Sequence, residues 1–441
     1  MTQQKHSLLA SMSDLNVEQL VDIASNAFDT WSEMPISKRV GIMRTFGDLL
    51  KANTDKLVSI LTREKGCSTS DARDEILKGI RFVESACDIV HLWQGDLAMQ
   101  LSEAEDQGFE HHALGVVAGV LPVNQPIMIS LWMYPVALVC GNTFILKSSP
   151  ETPVTLQYIA ELLHDSGLPS GVFNMFYGEQ QTVSELLDNP CVKALSFVGS
   201  SMDCELILAK GFGQAKKVQV CSAMKAYVLV MPDADIKQVV DAVFDFLQEP
   251  DMASPVIIAV GEQVGNNLVM ALARRLHTSS GLSMKPMIDA NTLIRTHGYI
   301  YQATEKGAEL IVDDQLLNAR LSEGSVGTGT CLLDFVTADM AIYYKDVFGP
   351  VLIVARAESV NNALNMINVN DAYCHAMAVF SKNKKQAVQD LGELMQMGEV
   401  SVNGPIPVTY SLACCWFQPL FDERSFHAIQ GIRFNAEMVP V

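Results

Sequence analysis

Gly115-Val116-Val117-Ala118-Gly119-Val120-Leu121-Pro122-Val123-Asn124-Gln125-Pro126 is the stretch that decides the fold. A short apolar run ends in a proline-bounded turn, the pattern of a buried strand leaving a sheet to enter a helix. The uncharged stretch around it runs from Ala113 to Leu146, long enough to raise a membrane span. Pro122, Pro126, Pro135, Asn124 and Asn142 break it into shorter pieces. It reads instead as a strand-helix-strand unit in a parallel sheet, where strands buried on both faces show no polar alternation.

Upstream, residues 17–94 carry helical periodicity with charged faces, as in Lys38-Arg39-Val40-Gly41-Ile42-Met43-Arg44, and predict a helical layer. A polar segment, Ser102-Glu103-Ala104-Glu105-Asp106-Gln107-Gly108, separates this layer from alternating strands and helices. Strands are expected at 114–121, 143–147, 172–177, 193–198 and 217–221, and that alternation predicts a doubly wound α/β sheet. A second α/β region starts near Met231, with strands at 255–260, 351–356 and 375–380, and the remaining tail is irregular.

The 441 residues allow two or three domains, and 49% hydrophobic with 18% charged residues is the composition of a soluble globular chain. A net charge of −19 repels phosphate backbones, and no basic patch offsets it, which argues against nucleic acid and for small molecules or proteins as partners. The ten cysteines show no Cys-x-x-Cys spacing, and Met1-Thr2-Gln3-Gln4-Lys5-His6 has no apolar signal core, so a reducing cytoplasm is expected. His111-His112 has no spaced third ligand and reads as a solvated pair, so no metal site is expected. The 21 methionines fit core packing.

Four segments in order carry a resemblance: Gly115 to Pro126, Gly141-Asn142-Thr143-Phe144-Ile145-Leu146-Lys147, Ser196-Phe197-Val198-Gly199-Ser200 and Asp346-Val347-Phe348-Gly349-Pro350-Val351-Leu352. Together they resemble the aldehyde dehydrogenase superfamily. Leu131-Trp132-Met133-Tyr134-Pro135, Gly167-Leu168-Pro169 and Met231-Pro232-Asp233-Ala234-Asp235 are most similar to its methylmalonate-semialdehyde dehydrogenase branch, whose members use NAD and coenzyme A. The resemblance implies two Rossmann-like α/β domains. Residues 1–230 would form the cofactor-binding type, including the helical layer and a shortened oligomerisation segment at 95–112; 231–405 the catalytic type; and 406–441 a tail returning to the first. A homo-oligomer is implied, weakened by the short segment and by a chain that starts late and stops early against the family.

Aldehyde oxidation needs a thiolate to attack the carbonyl, donors to hold the oxyanion and a nicotinamide to take the hydride. Asn124 falls on the family's oxyanion asparagine, and as a turn residue it also suits the cap of the helix starting near Pro126. Setting Asp251-Met252-Ala253 against the family's Cys-Met-Ala puts aspartate at the nucleophile and Pro250 at the preceding arginine. The segment between Val243 and Glu249 is also about four residues short, and no cysteine lies between 221 and 331. Losing such a nucleophile costs about a million-fold in kcat, about 8 kcal/mol. The plainer reading of Asp251 is a solvated loop residue, and the expectation is an impaired or inactive homologue, a pseudoenzyme; the alternative is an active NAD-dependent semialdehyde dehydrogenase.

Val220 stands where most of the superfamily has a glutamate base, which the coenzyme A branch does without. That branch's Gly-Gly-Ala-Lys has become Ser222-Ala223-Met224-Lys225, adding side chains where backbone approaches the nicotinamide. For NAD, the resemblance places Lys147 on the adenosine ribose, Gly199-Ser200 at the pyrophosphate and Phe348 beside the nicotinamide ribose. The family's ribose glutamate falls on Pro150, with Glu151 one position late. Cys221 and Cys414-Cys415 lie near the expected site as candidates for a relocated nucleophile, although free cysteines more often serve as small buried apolar residues.

Overall fold

The computed structural model describes residues 16–100, 109–123, 125–148, 151–178, 180–199, 201–222, 225–248, 253–278, 290–313, 330–347, 349, 351–368, 374–385, 387, 399–406 and 436–440. The chain divides into two compact units, Met1–Ser222 with Phe421–Val441, and Ala223–Leu420.

The first unit opens with the expected helical layer: α1 (Val17–Ser32), α2 (Ile36–Ala52), α3 (Thr54–Lys65) and α4 (Thr69–Gln100). A reciprocal cap starts α1. The Gln19 N–H donates to the Asn16 side chain at 2.9 Å, and the Asn16 N–H donates to the Gln19 side chain at 3.1 Å. Apolar residues at helical spacing, including Leu20 and Ala24, Met43 and Leu50, and Leu57 and Leu61, are buried.

The sheet of this unit follows as β2 (Val116–Val120), α5 (Pro126–Val139), β3 (Thr143–Ser148), α6 (Pro153–Asp165), β4 (Phe173–Tyr177), α7 (Gln180–Asp188), β5 (Val192–Gly199), α8 (Ser201–Gly213) and β6 (Lys217–Ser222). Its strands run parallel in the order β4-β3-β2-β5-β6. Every residue of α5 is buried, so the uncharged stretch is a core helix between two central strands. One polar residue of that stretch, Asn142, is satisfied internally: Oδ1 accepts from the Leu114 N–H at 2.7 Å and the Gly115 N–H at 3.2 Å, and Nδ2 donates to Ala137 O. Among the described residues no helix is long and apolar enough to cross a membrane. A separate antiparallel ribbon joins β1 (Phe109–Ala113) to β14 (Ala436–Pro440).

The second unit contains β7 (Lys225–Val230), α9 (Ile236–Gln248), β8 (Val256–Val260), α10 (Glu262–Thr278), α11 (Ala290–Glu305), β9 (Glu309–Asp313), β10 (Cys331–Asp334), α12 (Ala341–Tyr344), β11 (Val351–Ala357), α13 (Val360–Asn368), β12 (Cys374–Phe380) and β13 (Glu399–Val402). The sheet order is β13-β12-β7-β8-β11-β10-β9, parallel except for the antiparallel edge pair β9 and β10. Alternate residues enter opposite cores: Tyr227, Leu229, Val256 and Ile258 one, Val228, Val230, Ile257 and Ala259 the other. Burial on both faces explains why these strands read as continuous apolar runs. The sequence reading passed over β7, which begins with a lysine, and the short strands β9, β10 and β13.

Candidate functional site

In the first unit, two positions singled out from sequence lie at the carboxyl ends of the strands that flank β2. Lys147 is near the end of β3 and Gly199 ends β5, and β2 pairs with both strands. The order reverses between β2 and β5, the topological switch point at which doubly wound sheets bind ligands. Lys147 is half-buried, burial lowers its pKa with no carboxylate to oppose the shift, and none of the described residues accepts from its Nζ. At Gly199, an added Cβ would come within 2.4 Å of the Phe197 ring, so a larger residue here would require that ring to shift.

Two other helix starts in this unit are already taken by the chain's own carboxylates. Glu75 Oε1 accepts from the Ile127 N–H at 2.9 Å in the first turn of α5. Glu64 accepts from the Val154 N–H at 2.8 Å and the Thr155 N–H at 2.9 Å in the first turn of α6. Sequence reasoning missed both, because each acid lies in a helix far upstream of the turn it caps. Val220 is fully buried in β6, and Glu151 is exposed.

In the second unit, Lys225 opens β7 and is fully buried; its Nζ donates to Ile342 O at 3.0 Å and Lys345 O at 2.6 Å. Burial pushes its pKa down to about 7, against the opposing pull of Asp346. Ser254, just ahead of β8, donates its N–H to Val347 O at 2.7 Å and its hydroxyl to Gly349 O at 2.8 Å. Neither residue was singled out in these roles from sequence, since their acceptors are backbone carbonyls.

The model of the aldehyde dehydrogenase family matches residues 1–413. The chain belongs to the aldehyde dehydrogenase family. It is 36% identical over 431 residues to a malonate-semialdehyde dehydrogenase of Pseudomonas aeruginosa, covering 95% of this chain and 86% of that protein. The crystal structure of methylmalonate-semialdehyde dehydrogenase from Oceanimonas doudoroffii matches with a TM-score of 0.80 and 32% identity, over 96% of this chain and 89% of that one. A protein from Sinorhizobium meliloti assigned as methylmalonate-semialdehyde dehydrogenase, solved with NAD, gives 0.81 and 28%, over 96% and 88%. Family membership and the α/β fold expected from the sequence are thus shown.

Of the positions that the family resemblance implies, Asn124, Asp251, Ser200 and Phe348 lie outside the described residues, as do Pro150, Pro250, Ala223, Met224, Cys414 and Cys415. Cys221 and Ser222 are described only as backbone of β6, and His111 only as backbone of β1, whereas His112 is exposed. Lys147 and Gly199 are the two cofactor positions that the structure describes.

Proposed function

We propose that the chain is an aldehyde dehydrogenase homologue that binds a dinucleotide without oxidising aldehydes at family rates, a cytoplasmic pseudoenzyme of the methylmalonate-semialdehyde dehydrogenase branch. The residue type at 251 carries the reading. Ala253 and Ser254 are buried just ahead of β8, and the sequence resemblance sets Asp251 where the family's nucleophile segment has its thiol. Cys331, the next cysteine in the sequence after Cys221, is fully buried in β10. A carboxylate is a far weaker nucleophile toward a carbonyl than a thiolate.

Two features support NAD as the ligand: the half-buried Lys147 amine without an acceptor among the described residues, and the glycine at 199, which ends β5 just ahead of α8. Lys147 would hold the adenosine ribose, Gly199 and Ser200 the pyrophosphate at the start of α8, and Phe348 the nicotinamide ribose. The carboxylates capping α5 and α6 leave those two helix starts poor hosts for a phosphate. When bound, NAD supplies a hydride acceptor. Pro150 in place of the ribose glutamate makes the expected affinity weak.

The test is NADH absorbance from purified protein with NAD, with and without coenzyme A, on malonate semialdehyde, methylmalonate semialdehyde and simple aliphatic aldehydes. No signal above background is expected, and steady turnover abolished by thiol alkylation would overturn the proposal. The second reading, an active semialdehyde dehydrogenase using NAD and coenzyme A with Asn124 holding the oxyanion, is favoured by the 36% identity to the Pseudomonas aeruginosa enzyme over 95% of the chain. A weakened homo-oligomer completes the proposal, and sedimentation velocity measures it.

A further inference from the structure

The segment from Ile342 to Gly349 is held by four hydrogen bonds donated by two residues at the entry ends of neighbouring strands. Lys225 Nζ donates to Ile342 O and Lys345 O; the Ser254 N–H and Oγ donate to Val347 O and Gly349 O. Strands β7 and β8 pair in parallel with Tyr227 opposite Val256, so Lys225 and Ser254, each two residues upstream, come level across the sheet. Ser254 is 1% exposed, and its two acceptors are the chain neighbours of residue 348 on either side. Three residues before Ser254 in the chain is Asp251.

We infer that Ser254 is a positioning residue, whose hydroxyl and N–H hold the carbonyls of Gly349 and Val347, the chain neighbours of residue 348, and so serve the nicotinamide-ribose contact that the proposed reading assigns to that residue. The inference rests on the proposed NAD reading for what these bonds serve. Lys225 holds the same segment nearer its start, so the stretch is fixed on both sides of Asp346. The N–H bond survives substitution by alanine or threonine. The hydroxyl bond is lost with alanine, and its loss leaves the Gly349 carbonyl short of a donor.

The experiment compares the parent chain with Ser254→Ala and Ser254→Thr in two measurements. In calorimetric titration with NAD and separately with AMP, Ser254→Ala is expected to weaken NAD about fivefold, the worth of one hydrogen bond, and to leave AMP unchanged. Ser254→Thr keeps the hydroxyl and is expected to retain the parent's NAD affinity. General damage would weaken both ligands, and that result overturns the assignment, as does a threonine variant as weak as alanine. In hydrogen exchange on the ligand-free protein, Ser254→Ala is expected to speed exchange of the peptides covering 250–254 and 345–350 together. Faster exchange in one of them alone, or in neither, overturns the positioning role. A parent that binds no NAD overturns the cofactor reading, and the exchange measurement alone then decides the positioning role.

Discussion

The Glu75 carboxylate accepts a hydrogen bond from the Ile127 N–H at 2.9 Å, closing the first turn of α5 from a helix 52 residues upstream. Glu75 is only 8% exposed, and Asn124 lies two residues before Pro126, the first residue of this helix, in the sequence. A buried carboxylate at a helix N-terminus gains from both the orphan N–H groups and the helix dipole. Removing it strands those donors away from water.

Glu75→Ala is therefore expected to lower unfolding stability by about 2 kcal/mol, and Glu75→Gln, which keeps an acceptor and loses only the charge, by about 1 kcal/mol. Urea midpoints at fixed pH read the difference. No loss for Glu75→Gln would show that the charge contributes nothing, and equal losses would show that the charge carries the whole effect.

Lys225 links stability to pH in a direction that is unusual for lysine. Its folded pKa lies near 7, below the ordinary value of 10.5, so between those limits the unfolded chain holds a proton that the folded chain has released. Stability from this group rises with pH through that window and is constant below it, where both states are protonated. Lys225→Met removes the effect. The parent should gain on the variant as pH rises from 7.5 to 9.5, by up to about 1.4 kcal/mol per unit. A parent-to-variant difference that stays flat over this range contradicts the expectation.

For Lys147, the half-buried amine has no acceptor among the described residues to lose, so Lys147→Met should leave ligand-free stability unchanged within about 0.5 kcal/mol. The same substitution should abolish the small, saturable rise in melting temperature expected with NAD. If the variant keeps the full NAD response, the adenosine end is held by other groups.

On the proposed reading, Asp251→Cys supplies a thiol at the nucleophile position and changes nothing else. The other departures that the family resemblance implies, the shorter segment before 251, Pro250 for arginine, and Ser222 and Ala223 for glycines, would remain. Covalent catalysis needs the sulfur in near-attack geometry, and small misplacements cost about a hundredfold. At most trace NADH formation is expected from this variant. Robust turnover on the same aldehyde panel, from a variant of an inactive parent, would mean that the residue at 251 alone makes the difference.

What the sequence determined by itself was the material that local pattern carries. Apolar runs bounded by turn residues marked β2 to β6, β8, β11 and β12 to within a few residues, because strands buried on both faces must be apolar throughout. Motif order pointed to the family, and the residue type at 251 needs no coordinates to be read. Tertiary structure decided the rest. The pairing of β1 with β14, the antiparallel edge at β9, the caps from Glu64 and Glu75, and the ties from Lys225 and Ser254 all join residues distant in the chain. Ser254 and Gly349 are 95 residues apart. The groups they join are largely backbone N–H and C=O, which every residue type carries alike, so only the folded path of the chain determines which of them meet.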